Sequence, residues 1–122
     1  MSPVDRPLAG DFLSFRLGDE IRALQAQMAA DGGRLGHTLV KEGSLRVTLV
    51  GLRPGGAISP HAAEGAVTIQ IIEGTLSLDV AGTTRSLTAG DLVTLASGIR
   101  HAAASAGGAI FLLTLAVTHP GG

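Results

Sequence analysis

The hydrophobic period of the chain changes once. Over residues 19–30 the apolar positions are Ile21, Leu24 and Met28, spaced i, i+3 and i+7, with alanines and long polar side chains between them. This spacing predicts one amphipathic helix. Asp19 favours its start through the helix dipole, and Gly32-Gly33 stops it. The residues before it read as an irregular arm whose Phe12, Leu13 and Phe15 pack on the domain. From Thr38 onward the period is two. Leu45, Val47 and Leu49 alternate with Arg46, Thr48 and Val50 in a strand that runs to about Leu52. Val67, Ile69 and Ile71 alternate with Thr68 and Gln70, and Leu76, Leu78 and Val80 alternate with Ser77 and Asp79. Glycines punctuate these runs at positions such as Gly55, Gly74, Gly90 and Gly98. Short strands ended by turns every eight to twelve residues or so predict a β-sandwich or barrel. Intervals this short leave no room for the crossover helices of a parallel α/β sheet.

Length and composition narrow the classes. The 122 residues suit one domain, organised as an arm and helix over 1–36, a barrel over 37–118 and a tail over 119–122. Mean hydropathy is high, at +0.39, so a membrane segment has to be weighed. The only long uncharged stretch, residues 102–118, is broken by Ser105 and Gly107-Gly108. It falls short of the roughly 20 apolar residues of a spanning helix and reads as a buried strand. Nine Lys+Arg against ten Asp+Glu leave a net charge of −1, which is no footprint for nucleic acid. The absence of Cys removes thiolate, Cys-ligated metal and disulfide chemistry. Without Tyr or Trp there is almost no platform for stacking bases or sugars. The first residues show no signal-peptide pattern, and a cytoplasmic location is expected.

Candidate chemistry therefore rests on four histidines and scattered carboxylates and hydroxyls. His119 lies in the tail and reads as solvated, and His37 reads as a polar strand-end residue. His61 and His101 each close a patterned segment. The first is Gly55-Gly-Ala-Ile-Ser-Pro-His61, and the second runs from Gly90-Asp-Leu-Val through Gly98-Ile-Arg to His101. Together these segments resemble the two motifs of the cupin family, in the correct order, over about residues 38–117. The stretch Ile69-Gln-Ile-Ile-Glu-Gly-Thr-Leu and the following Leu87-Thr-Ala-Gly-Asp are typical of small bacterial members.

The resemblance implies an all-β jelly-roll barrel, RmlC-like, with one short N-terminal helix outside it. Family metal sites take two His and a Glu from the first motif and one His from the second. His61 and His101 fill two of these positions, whereas Ala63 and Val67 stand at the other two. The second motif also carries Ala96 and Ser105 in place of its Pro and Asn. Two imidazoles alone are a poor divalent transition-metal site, since zinc and non-haem iron sites use three protein ligands. Glu64 is the nearest substitute carboxylate, while Gln70 has the parity that faces away from the interior. No catalytic triad is visible, because no serine sits in a nucleophile-elbow pattern and no carboxylate is placed to orient either histidine.

The expected pocket comprises His61, His101, Glu64, Val67, Ile69 and Ser105 at the barrel mouth, with His61 and His101 the candidate metal ligands. Three readings stay open at this stage. One is a metal-free or weakly metal-binding protein that takes a small polar or anionic molecule. Another is a metal-dependent oxygenase or isomerase completed by Glu64 or water. The third is a purely structural dimer. Val50 and Leu52, read as lying on the outer face, and the apolar Leu113 and Leu115 of the last strand suggest a covered sheet and hence a homodimer.

Overall fold

The computed structural model describes residues 6–30 and 34–118. Helix α1 spans Leu17–Ala30. Eight strands follow: β1 Arg34–Glu42, β2 Leu45–Leu52, β3 Gly56–His61, β4 Gly65–Val80, β5 Thr83–Thr88, β6 Leu92–Leu95, β7 His101–Ser105 and β8 Ala109–Val117. They form an antiparallel ladder in the order β1-β2-β8-β4-β7-β3, with β5 and β6 also paired to β4. The N-terminal part of β4 pairs with β8 and β6, and its C-terminal part pairs with β5 and β7. The ladder thus bends at β4 into two facing halves, the expected jelly-roll barrel. His119 and the Gly32-Gly33 helix stop lie outside the described residues.

The bend has a visible cause. Two apolar runs that read as separate strands are one strand of 16 residues. Its register against β8 shifts between Ile71 and Glu73, leaving Ile72 as the extra residue. A bulge of this kind reverses side-chain parity. The buried set accordingly moves from Val67, Ile69 and Ile71 to Leu76 and Leu78. Gly74 follows at φ +80°, backed directly against the carbonyl of Gly108. Without the parity switch, the second apolar run would face solvent.

Apolar side chains fill two layers. The inner one, between the facing halves, contains Val50, Leu52, Val67, Ile69, Leu76 and Phe111 among others. The second lies between the sheet and the helix, where Ile21 and Leu24 pack with Leu39, Leu49 and Ile110. Val50 and Leu52 therefore face the interior and not the outside. The outward positions of β2 are those of Leu49 and Gly51, and α1 of the same chain covers them. Met28 lies so close to Gly51 that a side chain there would overlap its sulfur.

Three local expectations also change. The helix begins at Leu17, two residues before Asp19, with Arg16 O accepting from the amides of Asp19 and Glu20. Phe12 is 83% exposed, so it does not pack on the domain. The arm is held instead by backbone contacts along β1: Lys41 N donates to Leu8 O, and Gly10 N donates to the Glu42 carboxylate. Arg6 pairs with Glu20 at 2.6 Å and stacks over Phe15. His37 is interior to β1 and not at a strand end. It is buried, with Nε2 against Gln27 Oε1 of α1, and it ties helix to sheet. Among the described residues no helix is long and apolar enough to cross a membrane.

Candidate functional site

The site grows out of one strand pair. β3 and β7 run antiparallel, and a register shift after Ile58 brings His61 directly opposite His101. The ring centroids stand 4.4 Å apart with planes tilted by 55°. Each ring is held in the same way by its own chain. His61 Nδ1 lies 3.0 Å from Ser59 O, and His101 Nδ1 lies 3.0 Å from Ile99 O. A carbonyl oxygen can only accept, so both Nδ1 atoms carry the hydrogen. In the neutral rings both Nε2 atoms are then acceptors. His101 is buried at 6% exposure, whereas His61 is exposed.

Beside the pair is a cavity of about 250 Å³ between the two halves of the barrel. One wall comes from Thr48, Val50, Ile69, Phe111 and Leu113, and the other from Ile58, Leu76, Leu78 and Ala103. Alternation places these residues: Thr48 and Val50 share a face of β2, and their β8 partners are Leu113 and Phe111. Arg34, His61 and His101 complete the lining. Arg34 and His61 also line a surface groove with Ala57, Ser59 and Pro60, so the cavity's polar mouth lies between β1 and β3. Among the described residues no Asp or Glu lines the cavity.

The expected pocket residues separate into two groups. His61, His101 and Ile69 line the cavity. Val67 is buried in the inner layer, away from that lining. Ser105 is buried too, but its hydroxyl donates to Thr75 O at 2.6 Å and so fastens β7 to β4. Glu64 is exposed and absent from the lining, and its backbone carbonyl accepts from the amide and hydroxyl of Thr118. Besides Thr48 in the wall, Arg34 is the polar lining residue that sequence reasoning did not find. Lying 27 positions before His61, at the first residue of a strand, it belongs to neither motif. Only the approach of β1 to β3 brings the two together.

The donor set does not fit a resident transition metal. The closeness of the rings would permit one shared ion, but among the described residues no group of three His, Cys, Asp or Glu side chains converges. Ala63 packs against the inner layer and Val67 is part of it, and neither side chain can donate an electron pair.

The family model of the cupin domain matches residues 48–117. Among solved structures, an RmlC-like cupin from Shewanella frigidimarina is 25% identical, with a TM-score of 0.66 over 70% of this chain and 77% of that one. A conserved protein of unknown function from Streptococcus pyogenes is 24% identical, with a TM-score of 0.66 over 71% and 76%. Salicylate 1,2-dioxygenase from Pseudaminobacter salicylatoxidans superposes with a TM-score of 0.79 at 18% identity, over 90% of this chain but only 36% of that one. The likenesses below 25% identity concern the fold alone. No curated protein matches the chain.

Proposed function

The chain belongs to the cupin family, and within that fold we propose that it binds a small polar or anionic molecule in the cavity, with the ligand's polar groups at Arg34, His61 and His101. The observation that carries this reading is a 250 Å³ space whose walls are apolar except for Thr48, with nitrogen-bearing side chains at its opening. That volume equals about eight waters at ~30 Å³ each. It sits just below the roughly 300–1,000 Å³ of ordinary ligand pockets, so the molecule is small. A purely structural barrel would have filled the space, since interiors are close-packed. Arg34 supplies a guanidinium, and among the described residues no carboxylate in the lining opposes an incoming anion.

Ala103 provides the test. It lines the cavity from β7, and a leucine there would grow into the space. Cavity filling commonly adds about 0.5–2 kcal/mol of stability. Ala103→Leu is therefore expected to melt at or above the parent temperature. It should also lose the thermal stabilisation that a panel of small carboxylates gives the parent. A parent whose melting temperature no member of the panel raises would refute the binding reading.

A resident metal is not part of this function. Elemental analysis of protein prepared without a histidine tag is expected to show far less than one transition metal per chain. Near-stoichiometric metal, lost in the His61→Ala/His101→Ala double variant, would contradict this and favour the enzymatic reading.

A further inference from the structure

Resting on the binding reading above, we propose that the molecule taken up is a hydroxy acid with a compact apolar body: one carboxylate, one hydroxyl near it, and a hydrocarbon group beyond. Three independent features of the cavity each select one part. Arg34 selects the carboxylate. It is cationic, it lines both groove and cavity, and among the described residues no carboxylate pairs with it. A guanidinium presents its donors in a planar fork that matches a carboxylate.

The hydroxyl follows from the fixed tautomers. Both imidazoles spend their Nδ1 hydrogens on backbone carbonyls, so each neutral ring presents a bare acceptor at Nε2. A carboxylate has no hydrogen to give such an acceptor, whereas a hydroxyl can donate to a bare Nε2 and can equally accept from a protonated one. An O–H beside the carboxylate satisfies one Nε2 while Arg34 holds the acid group. His101 is buried, so leaving its Nε2 unpaired beside a bound ligand is costly, and a ligand that carries a hydroxyl is favoured over the plain acid. The body follows from the walls. Ile58, Leu76, Leu78 and Phe111 converge on the space, and a sugar-like body would leave most of its hydroxyls there without partners, since Thr48 is the one hydroxyl-bearing residue of the walls among the described residues.

Mandelate carries all three parts, phenylacetate lacks the hydroxyl, lactate lacks the apolar body, and benzyl alcohol lacks the carboxylate. Calorimetric titration of untagged, chelator-treated protein with these four compounds tests the inference. Mandelate is expected to bind at least tenfold more tightly than each of the others. Arg34→Met, a change at an exposed position that should leave the fold intact, is expected to weaken mandelate by at least tenfold while leaving benzyl alcohol unchanged. Equal affinity for phenylacetate and mandelate would overturn the role of the imidazole acceptors. Equal affinity for lactate would overturn the apolar body, and in either case binding at the site would still stand. No heat from any of the four, together with no stabilisation by the small-carboxylate panel, would overturn the binding reading itself.

Discussion

Replacing Gly74 by alanine is expected to cost at least about 3 kcal/mol, a large part of the roughly 5–15 kcal/mol that holds a domain together. Two penalties combine at this position. The backbone sits at φ +80°, where an L-residue loses about 1–2 kcal/mol. A Cβ would also overlap the carbonyl oxygen of Gly108 and stand 3.0 Å from Ala109 Cα. Neither neighbour is a flexible side-chain end that could swing aside, so β4 and β8 would have to part just where β4 passes from one half of the barrel to the other. Gly82 supplies the control. It has a similar φ of +86° but open space around its missing side chain. Gly82→Ala should lose only the conformational penalty of about 1–2 kcal/mol. Urea unfolding of both variants separates the two contributions. Equal losses would show that the close approach of the strands carries no weight.

Leu24→Ala is expected to be the other severe change, at about 2–5 kcal/mol. Leu24 is fully buried on α1 and packs into the layer formed with Leu39, Leu49 and Ile110. Its loss opens a cavity under the helix, which tests whether α1 is an integral cover of the sheet. Leu17→Ala, at a position 37% exposed on the same helix, should stay within about 0.5 kcal/mol. Denaturation midpoints of the two variants decide the matter. A Leu24→Ala protein as stable as the parent would mean that the barrel stands without its helix.

The barrel was legible because its causes are local. Alternation at Leu45–Val50, at Val67–Ile71 and at Leu76–Val80 marks strands, and the histidine-bearing segments ending at His61 and His101 mark the fold family. The wrong inside–outside assignment of Val50 and Leu52 came from a sequence in which both faces of β2 are apolar. Periodicity cannot rank two apolar faces. The decision is made by what covers each one, α1 over Leu49 and the opposing half of the barrel over Val50. The joining of two runs into β4 was hidden for a similar reason. Glu73-Gly74 reads as a turn, but the residues there make a bulge and a close crossing.

The site was half legible. His61 and His101 could be found from spacing, and their opposition across β3 and β7 follows from pairing. Glu64 was named only for its nearness in sequence to His61, and the chain leaves it on the surface. Ser105 was named as a hydroxyl near His101, yet the Thr75 carbonyl takes its hydrogen bond. Arg34 went unseen because no local pattern connects β1 to β3. Its contribution exists only once the barrel has closed.

The central claim is that the space behind the histidine pair is a binding site, and chemical-shift mapping addresses it most directly. Titration of isotope-labelled, untagged protein with mandelate is predicted to shift the signals of Arg34, Ile58, His61, His101 and Phe111, all of which line the cavity. Those of Phe12 and Leu92, exposed and absent from that lining, should stay in place. Shifts confined to the outer surface, or shifts that survive unchanged in Ala103→Leu, would contradict the account.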